Sequence, residues 1–422
     1  MDADVIIIGA GAAGLAAAQA LAQASVRVLV IEARDRVGGR VYSVPSSRRI
    51  VPAELGAEFI HGPAPQTMAI LRNAGSAAVE TGGGGDDDEE DFIEAAHLLD
   101  DAHSLAQDTS VADYLSRFSD DPEKRNAAAA AQAFVEGFEA ADPAIASVLS
   151  IAEERESGTD DFSTRPIGGY PVVFDALRNG CAQAGVRIEL EMPVDRIVWK
   201  GGSVQVACGE RQFTARAAIV TVPTGVLRSG SVQFEPALPA EKQRALDHIV
   251  MGDVVKVVMR FRSAFWEEIA GGRFRNVGFF RVFESNDFPA FWTQIPLHAE
   301  HVNAWAGGPR AAALGALPRE EIFARAVRGF GDVIGDAARA RDEFEEAYYH
   351  DWTADPYARG AYSYLRVGGG DARAQLGASL KQTLFFAGEA TSVNGQGGTV
   401  NGAIDSGERA ATDVLAALKA TA

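Results

Sequence analysis

The chain has 422 residues, of which 47% are hydrophobic and 23% charged, with a formal net charge of −19. At roughly 150 residues per domain this is too long for one ordinary core and suggests two globular domains. The acidic balance argues against a nucleic-acid binder, because phosphate contacts need a basic surface. It suits plain solubility or a cationic partner.

The first residues run straight into the apolar stretch Val5–Ile8 with no basic region before it, so this stretch reads as a strand rather than a signal sequence. No apolar run reaches the roughly 18 residues of a membrane span, and the expected location is cytoplasmic. Cys181 and Cys208 stand far apart without a CxxC pattern and read as buried thiols. The seven histidines show no ligand spacing; His298 and His301 are the closest pair and lack a third ligand, so no metal is expected.

In chain order, Asp4–Gly9 reads as a buried strand, Ala12–Gln23 as an alanine-rich helix and Val26–Glu32 as a second buried strand, a βαβ unit. A helix is expected over Pro65–Asn73. Four glycines, Gly82–Gly85, and six acids, Asp86–Asp91, then mark a linker. The acids read as a solvated loop, with steering of a polycation as the alternative. The stretch from Phe92 to about Ser150 has helical spacing through the alanine block Ala127–Ala131 and is interrupted at Asp142-Pro143. Strand patterning returns from Val186, and a closing strand at Leu384–Ala387 leads into a helix from about Thr399 to Ala417. The fold class that fits is α/β: a Rossmann-like nucleotide-binding domain discontinuous in sequence (1–78, 166–245 and 352–422), with an α+β substrate-binding domain (79–165 and 246–351).

Three glycines carry the first chemical signal. Gly9, Gly11 and Gly14 form GxGxxG between strand and helix, giving a tight turn, close approach to a pyrophosphate and close helix–strand packing. Glu32 ends the second strand, where a carboxylate can take a ribose hydroxyl. This motif alone serves FAD and NAD equally. A second signal is Lys256, embedded in Val254-Val255-Lys256-Val257-Val258-Met259. Apolar neighbours on both faces imply burial, and burying an ammonium is costly without a purpose. An edge strand whose lysine blocks aggregation is the alternative.

The segment Arg34-Asp35-Arg36-Val37-Gly38-Gly39-Arg40 separates the cofactors. With it the chain resembles, over nearly its whole length, the flavin amine oxidase family of monoamine oxidases, polyamine oxidases and lysine-specific histone demethylases. Further matching stretches are Gly56-Ala57-Glu58-Phe59-Ile60-His61-Gly62, Pro193-Val194-Asp195, Gly360-Ala361-Tyr362-Ser363, Leu384–Thr391 and Gly397–Ala403. The resemblance implies a non-covalent FAD held by Gly9, Gly11, Ala13, Gly14, Glu32, Ala33, Arg34, Gly38, Gly39, Arg40, Gly56, Ala57, Glu58, Val194, Trp352, Gly388, Glu389, Thr399 and Val400. Arg40 would meet phosphate and Arg34 would lie near the adenosine. Ala361 stands where monoamine oxidases carry the cysteine that tethers the flavin, so that thioether cannot form.

By the same resemblance Lys256 holds a water beside flavin N5, Tyr362 is one wall of an aromatic cage and Thr399 stands at the other wall. His61 either touches substrate or is satisfied by a loop hydrogen bond. The expected partners are a small-molecule amine and dioxygen, with no nucleic acid and no membrane. The alternatives are an L-amino acid oxidase, which needs a carboxylate-binding arginine such as Arg273, Arg275 or Arg281, a flavin-dependent desaturase, or a non-catalytic FAD-binding scaffold.

Overall fold

A computed structural model describes residues 1–45, 51–81, 89–282 and 286–420, without the side chains of residues 89–94. The glycine run and the first three acids that follow it lie outside the described residues. The opening βαβ unit is present as strand β1 (Val5–Ile8), helix α1 (Ala12–Gln23) and strand β2 (Val28–Ile31).

These two strands form the middle of a five-stranded parallel sheet. Its order is Leu384–Phe386, Ala217–Val220, β1, β2 and Arg187–Glu189. Every residue of its three inner strands and of the edge strand Leu384–Phe386 is buried, as expected for parallel strands covered on both faces. The segments that complete it are far apart in sequence, so the sheet closes only when the C-terminal part returns to the N-terminal part. The last helix, Val400–Ala420, packs against α1. A Cβ on Gly407 would stand 2.2 Å from the Ala13 carbonyl oxygen, a measure of how closely the two helices approach.

A second five-stranded sheet is antiparallel in all its pairings and runs Phe279–Arg281, Ala290–Trp292, His301–Gly307, Val254–Phe261 and Phe344–Tyr348. The lysine-bearing strand is therefore flanked on both sides, and all eight of its residues are buried. The edge-strand alternative for Lys256 is thereby removed. Helices Arg125–Gly137 and Val148–Glu156 belong to an alanine-rich insert whose core holds Ala127, Ala131, Val135 and Ile151. The architecture is a Rossmann-like FAD-binding domain with a substrate-binding domain built on the antiparallel sheet and the helical insert. Among the described residues no helix is long and apolar enough to cross a membrane, and no cluster of three candidate metal ligands occurs.

Candidate active site

A cavity of about 1830 Å³ runs between the two sheets. Of the residues singled out in sequence for the cofactor and the chemistry, all line it except Gly14. Gly14, also named for the cofactor, stands outside the cavity and keeps the packing role its motif gave it: a Cβ there would lie 2.0 Å from the Gly9 carbonyl oxygen, so its smallness serves the packing of α1 on β1. Gly9 has φ +110°, a conformation L side chains rarely adopt. The N-cap of α1 is Gly11, with no side-chain cap. Its first-turn N–H groups are thus left to an anion, and a Cβ added at Gly11 would meet no atom within 4 Å.

The acid and basic groups around this loop are mostly bound to protein. Glu32 accepts hydrogen bonds from the backbone N–H of Ala10 at 2.7 Å and of Arg34 at 2.9 Å, which ties the strand end to the glycine loop. Arg34 forms a two-pronged pair with Asp355 at 2.8 and 2.9 Å, and its guanidinium lies 5.4 Å from the ring centre of Tyr357. Arg40 donates to the Ala361 carbonyl at 2.9 Å and to Glu389 at 2.8 Å. The Glu389 carboxylate also accepts from Ser363 Oγ and from the N–H of Gly398. Arg40 and Glu389 therefore staple the Gly38-Gly39 turn to the C-terminal segment. Their expected contact with the cofactor would fall to whatever donors and acceptors this pairing leaves over.

Thr399 has a second duty. It lines the cavity as expected, and its hydroxyl accepts from the Gly402 N–H at 2.9 Å and donates to the Gln396 carbonyl at 3.0 Å, so it caps the last helix as well. Tyr362 donates its hydroxyl to the Phe138 carbonyl of the helical insert, and its ring stands against Gly398. Further aromatic lining comes from Phe59, inside the Gly56–Gly62 stretch, and from Phe138, Trp292 and Trp305, which no motif marked. His61 lines the cavity and also shares a hydrogen bond with Ser163 Oγ at 3.0 Å. Burial pushes its imidazole down to about 4, so it is neutral at physiological pH.

Lys256 sits at the centre of a buried ionic cluster. Its Nζ donates to Glu58 Oε2 at 2.6 Å and to the Gly56 carbonyl at 3.3 Å. Glu58 is also paired with Arg165 at 2.9 Å and accepts from Trp292 Nε1 and from Gln294 Nε2 at 3.0 Å. Burial alone would raise the Glu58 carboxyl, but the charges of Lys256 and Arg165 outweigh it and hold the group at about 2. The carboxylate expected to face the cofactor is thus committed to orienting the lysine.

This depressed value makes a stability prediction. An unfolded glutamate titrates near 4.5, so the cluster stabilises the fold fully above that pH and loses its contribution as pH falls toward 2. Glu58→Ala leaves Lys256 and Arg165 buried without their counter-charge and is expected to cost about 3 to 5 kcal/mol. It should also flatten the decline in melting temperature between pH 4.5 and 2, as calorimetry would record.

The insert adds a carboxyl group that sequence reasoning missed. Glu139, Glu154 and Asp160 all line the cavity. Burial and the neighbouring Glu154 push Glu139 well above the ordinary carboxylate range, while Arg373 holds Glu154 at 3.0 Å. No local pattern marks these acids: Glu154 lies on the helix Val148–Glu156, and Glu139 and Asp160 lie just beyond the ends of the two helices. Of the three arginines considered as carboxylate binders, Arg273 and Arg281 line the cavity and Arg275 does not. Cys181 and Cys208 are buried and free, and neither reaches the cavity.

The fold and this site define a dinucleotide cradle that opens on an aromatic-lined cavity beside a buried lysine. The profile of the family described as "Flavin containing amine oxidoreductase" matches residues 12–97 and 92–415. The chain belongs to that family, and FAD is the cofactor its cradle takes. It is 29% identical over 450 residues to polyamine oxidase 2 of Arabidopsis thaliana, covering 97% of this chain and 87% of that one. It is 26% identical over 459 residues to the human lysine-specific histone demethylase 2, covering 98% of this chain but 53% of the relative. The chain thus spans about half the length of that demethylase. Among solved structures, putrescine oxidase with bound putrescine superposes with a TM-score of 0.83 at 24% identity, covering 99% of each chain. Cyclohexylamine oxidase from Brevibacterium oxydans gives the same TM-score at 22% identity, covering 99% of this chain and 100% of that one. At these identities the two structures speak for the fold.

Proposed function

We propose that the protein is an amine oxidase that takes hydride from the α-carbon of a primary or secondary amine, giving an imine that hydrolyses to an aldehyde or ketone. The observation that carries this reading is a clamped lysine in an acid- and aromatic-lined cavity beside an FAD cradle. Bound FAD supplies the hydride acceptor at N5 and passes the electron pair to dioxygen, with hydrogen peroxide as the product.

The chain's own residues have separate tasks in this reading. Tyr362, fixed through its hydroxyl, offers a ring face to the amine. His61 is neutral and meets the substrate without adding positive charge. Among the acids of the insert, Glu154 is paired with Arg373 and Asp160 with Arg155, while burial keeps Glu139 in its neutral form; a substrate ammonium placed beside Glu139 would favour its charged form, and on that ground polyamines and diamines such as putrescine lead the candidates. Lys256, held by Glu58, presents its ammonium for an ordered water. The two free cysteines suit a cytoplasmic setting.

Because the neutral amine reacts, turnover is expected to rise with pH as free amine appears. The test is anaerobic mixing with a panel of diamines, polyamines, aromatic monoamines and amino acids, followed by a peroxide assay in air. Bleaching of the flavin by a diamine or polyamine is the expected result. A response to amino acids alone would favour the amino acid oxidase reading, with Arg273 or Arg281 on the carboxylate. A flavin that no amine bleaches would mark a binding scaffold.

A further inference from the structure

Behind Lys256, polar side chains of the antiparallel sheet flank Val258, which itself packs with Ala53 and Leu55. Alternate residues of a strand share a face, so Lys256, Val258 and Arg260 stand in line. The pairing sets Asn303 beside Val258, His301 beside Arg260 and Trp292 beside Asn303. This layer is closed to solvent: Asn303 is 1% exposed, and Arg260, His301 and Gln294 are each 2% exposed. None of the four lines the cavity.

Several polar atoms of this layer are unmet. Among the described residues, neither amide atom of Asn303 has a hydrogen-bond partner, nor do Gln294 Oε1, Arg260 Nε and Arg260 Nη2. Buried polar atoms left bare are rare and costly, and ordered water is their usual partner. The layer is continuous at both ends. Gln294 donates to Glu58 at 3.0 Å, and Glu58 holds Lys256 at 2.6 Å. Burial keeps His301 neutral although it feels the charges of Glu58, Arg260, Arg165 and Lys256. At the far end Arg260 reaches Glu346 at 3.3 Å, and the Glu346 side chain is 48% exposed.

We propose that this layer holds a file of ordered water that links the Lys256 ammonium to solvent at Glu346, a proton route separate from the substrate cavity. The inference rests on the oxidase reading. There the overall change is RCH2NH2 + O2 → RCH=NH + H2O2: the C–H bond surrenders a hydride, the nitrogen a proton, and dioxygen gains two electrons and two protons. The nitrogen's proton is lost on the substrate side, so the later reduction of dioxygen needs a proton delivered to the Lys256 end.

A high-resolution crystal structure of the holoenzyme is expected to show waters bridging Asn303, Gln294 Oε1 and Arg260; a dry layer would overturn the proposal. The kinetic test reduces the holoenzyme with dithionite and mixes it with oxygenated buffer, in H2O and in D2O. Asn303→Leu should slow reoxidation about tenfold, with a larger solvent isotope effect and unchanged anaerobic reduction by the fastest amine of the panel. Glu346→Gln, a surface change that spares folding, should slow reoxidation in the same direction. Reoxidation at the wild-type rate in both variants would also overturn the proposal. Failure of the oxidase reading itself has a different signature: no amine reduces the wild-type flavin, however the waters lie.

Discussion

Lys256→Met is expected to slow reoxidation of the flavin by dioxygen by about 100-fold, at the lower end of what a positioned proton-handling group contributes, while FAD stays bound. Methionine nearly matches the length of the lysine stem and is apolar, so it fits a strand whose eight residues are all buried. Glu58 would still be held by Arg165, Trp292 and Gln294, which limits collapse around the vacated ammonium. Losing one partner of a buried pair nevertheless costs stability, and thermal unfolding should be followed alongside. Stopped-flow mixing of reduced enzyme with oxygen reads the rate. An unchanged rate in a folded, yellow variant would remove Lys256 from the oxidative chemistry.

The second large effect separates two glycines of one motif. Gly11→Val is expected to yield folded but colourless protein, with FAD affinity lowered about 100-fold, equivalent to about 2.7 kcal/mol. At Gly11 φ is −78°, which valine tolerates, and a Cβ meets no protein atom. The added side chain therefore enters the open space of the cradle and competes with the pyrophosphate. Gly14→Val should instead yield insoluble protein, because its Cβ would be forced to 2.0 Å from the Gly9 carbonyl oxygen. Absorbance of the purified variants and titration with FAD measure both outcomes. A Gly11→Val protein as yellow as the wild type would count against the cradle as drawn.

The contrast between these glycines also shows where sequence reading stops. The motif already gives Gly14 the helix–strand contact, but only the packing shows that it lies outside the cavity. Thr399 lines the cavity and is also a helix cap, a duty its motif does not show, because the start of the last helix leaves the Gly402 N–H in need of an acceptor. The aromatic lining that Phe138, Trp292 and Trp305 provide comes from elements whose only sequence signature is burial.

What the amino-acid order determined by itself is local. The β1–α1–β2 unit, the helix over Pro65–Asn73 and the buried run around Lys256 all appear where hydrophobic period and turn residues put them, since those signals act over a few residues. What only the tertiary structure decided is the partnership of charges. Lys256 and Glu58 are 198 positions apart in sequence, and Arg165 joins them from the separate strand Ser163–Pro166. Ionic interactions carry no sequence period, so which acid meets which base is settled only when the sheets pack and exclude water from between them.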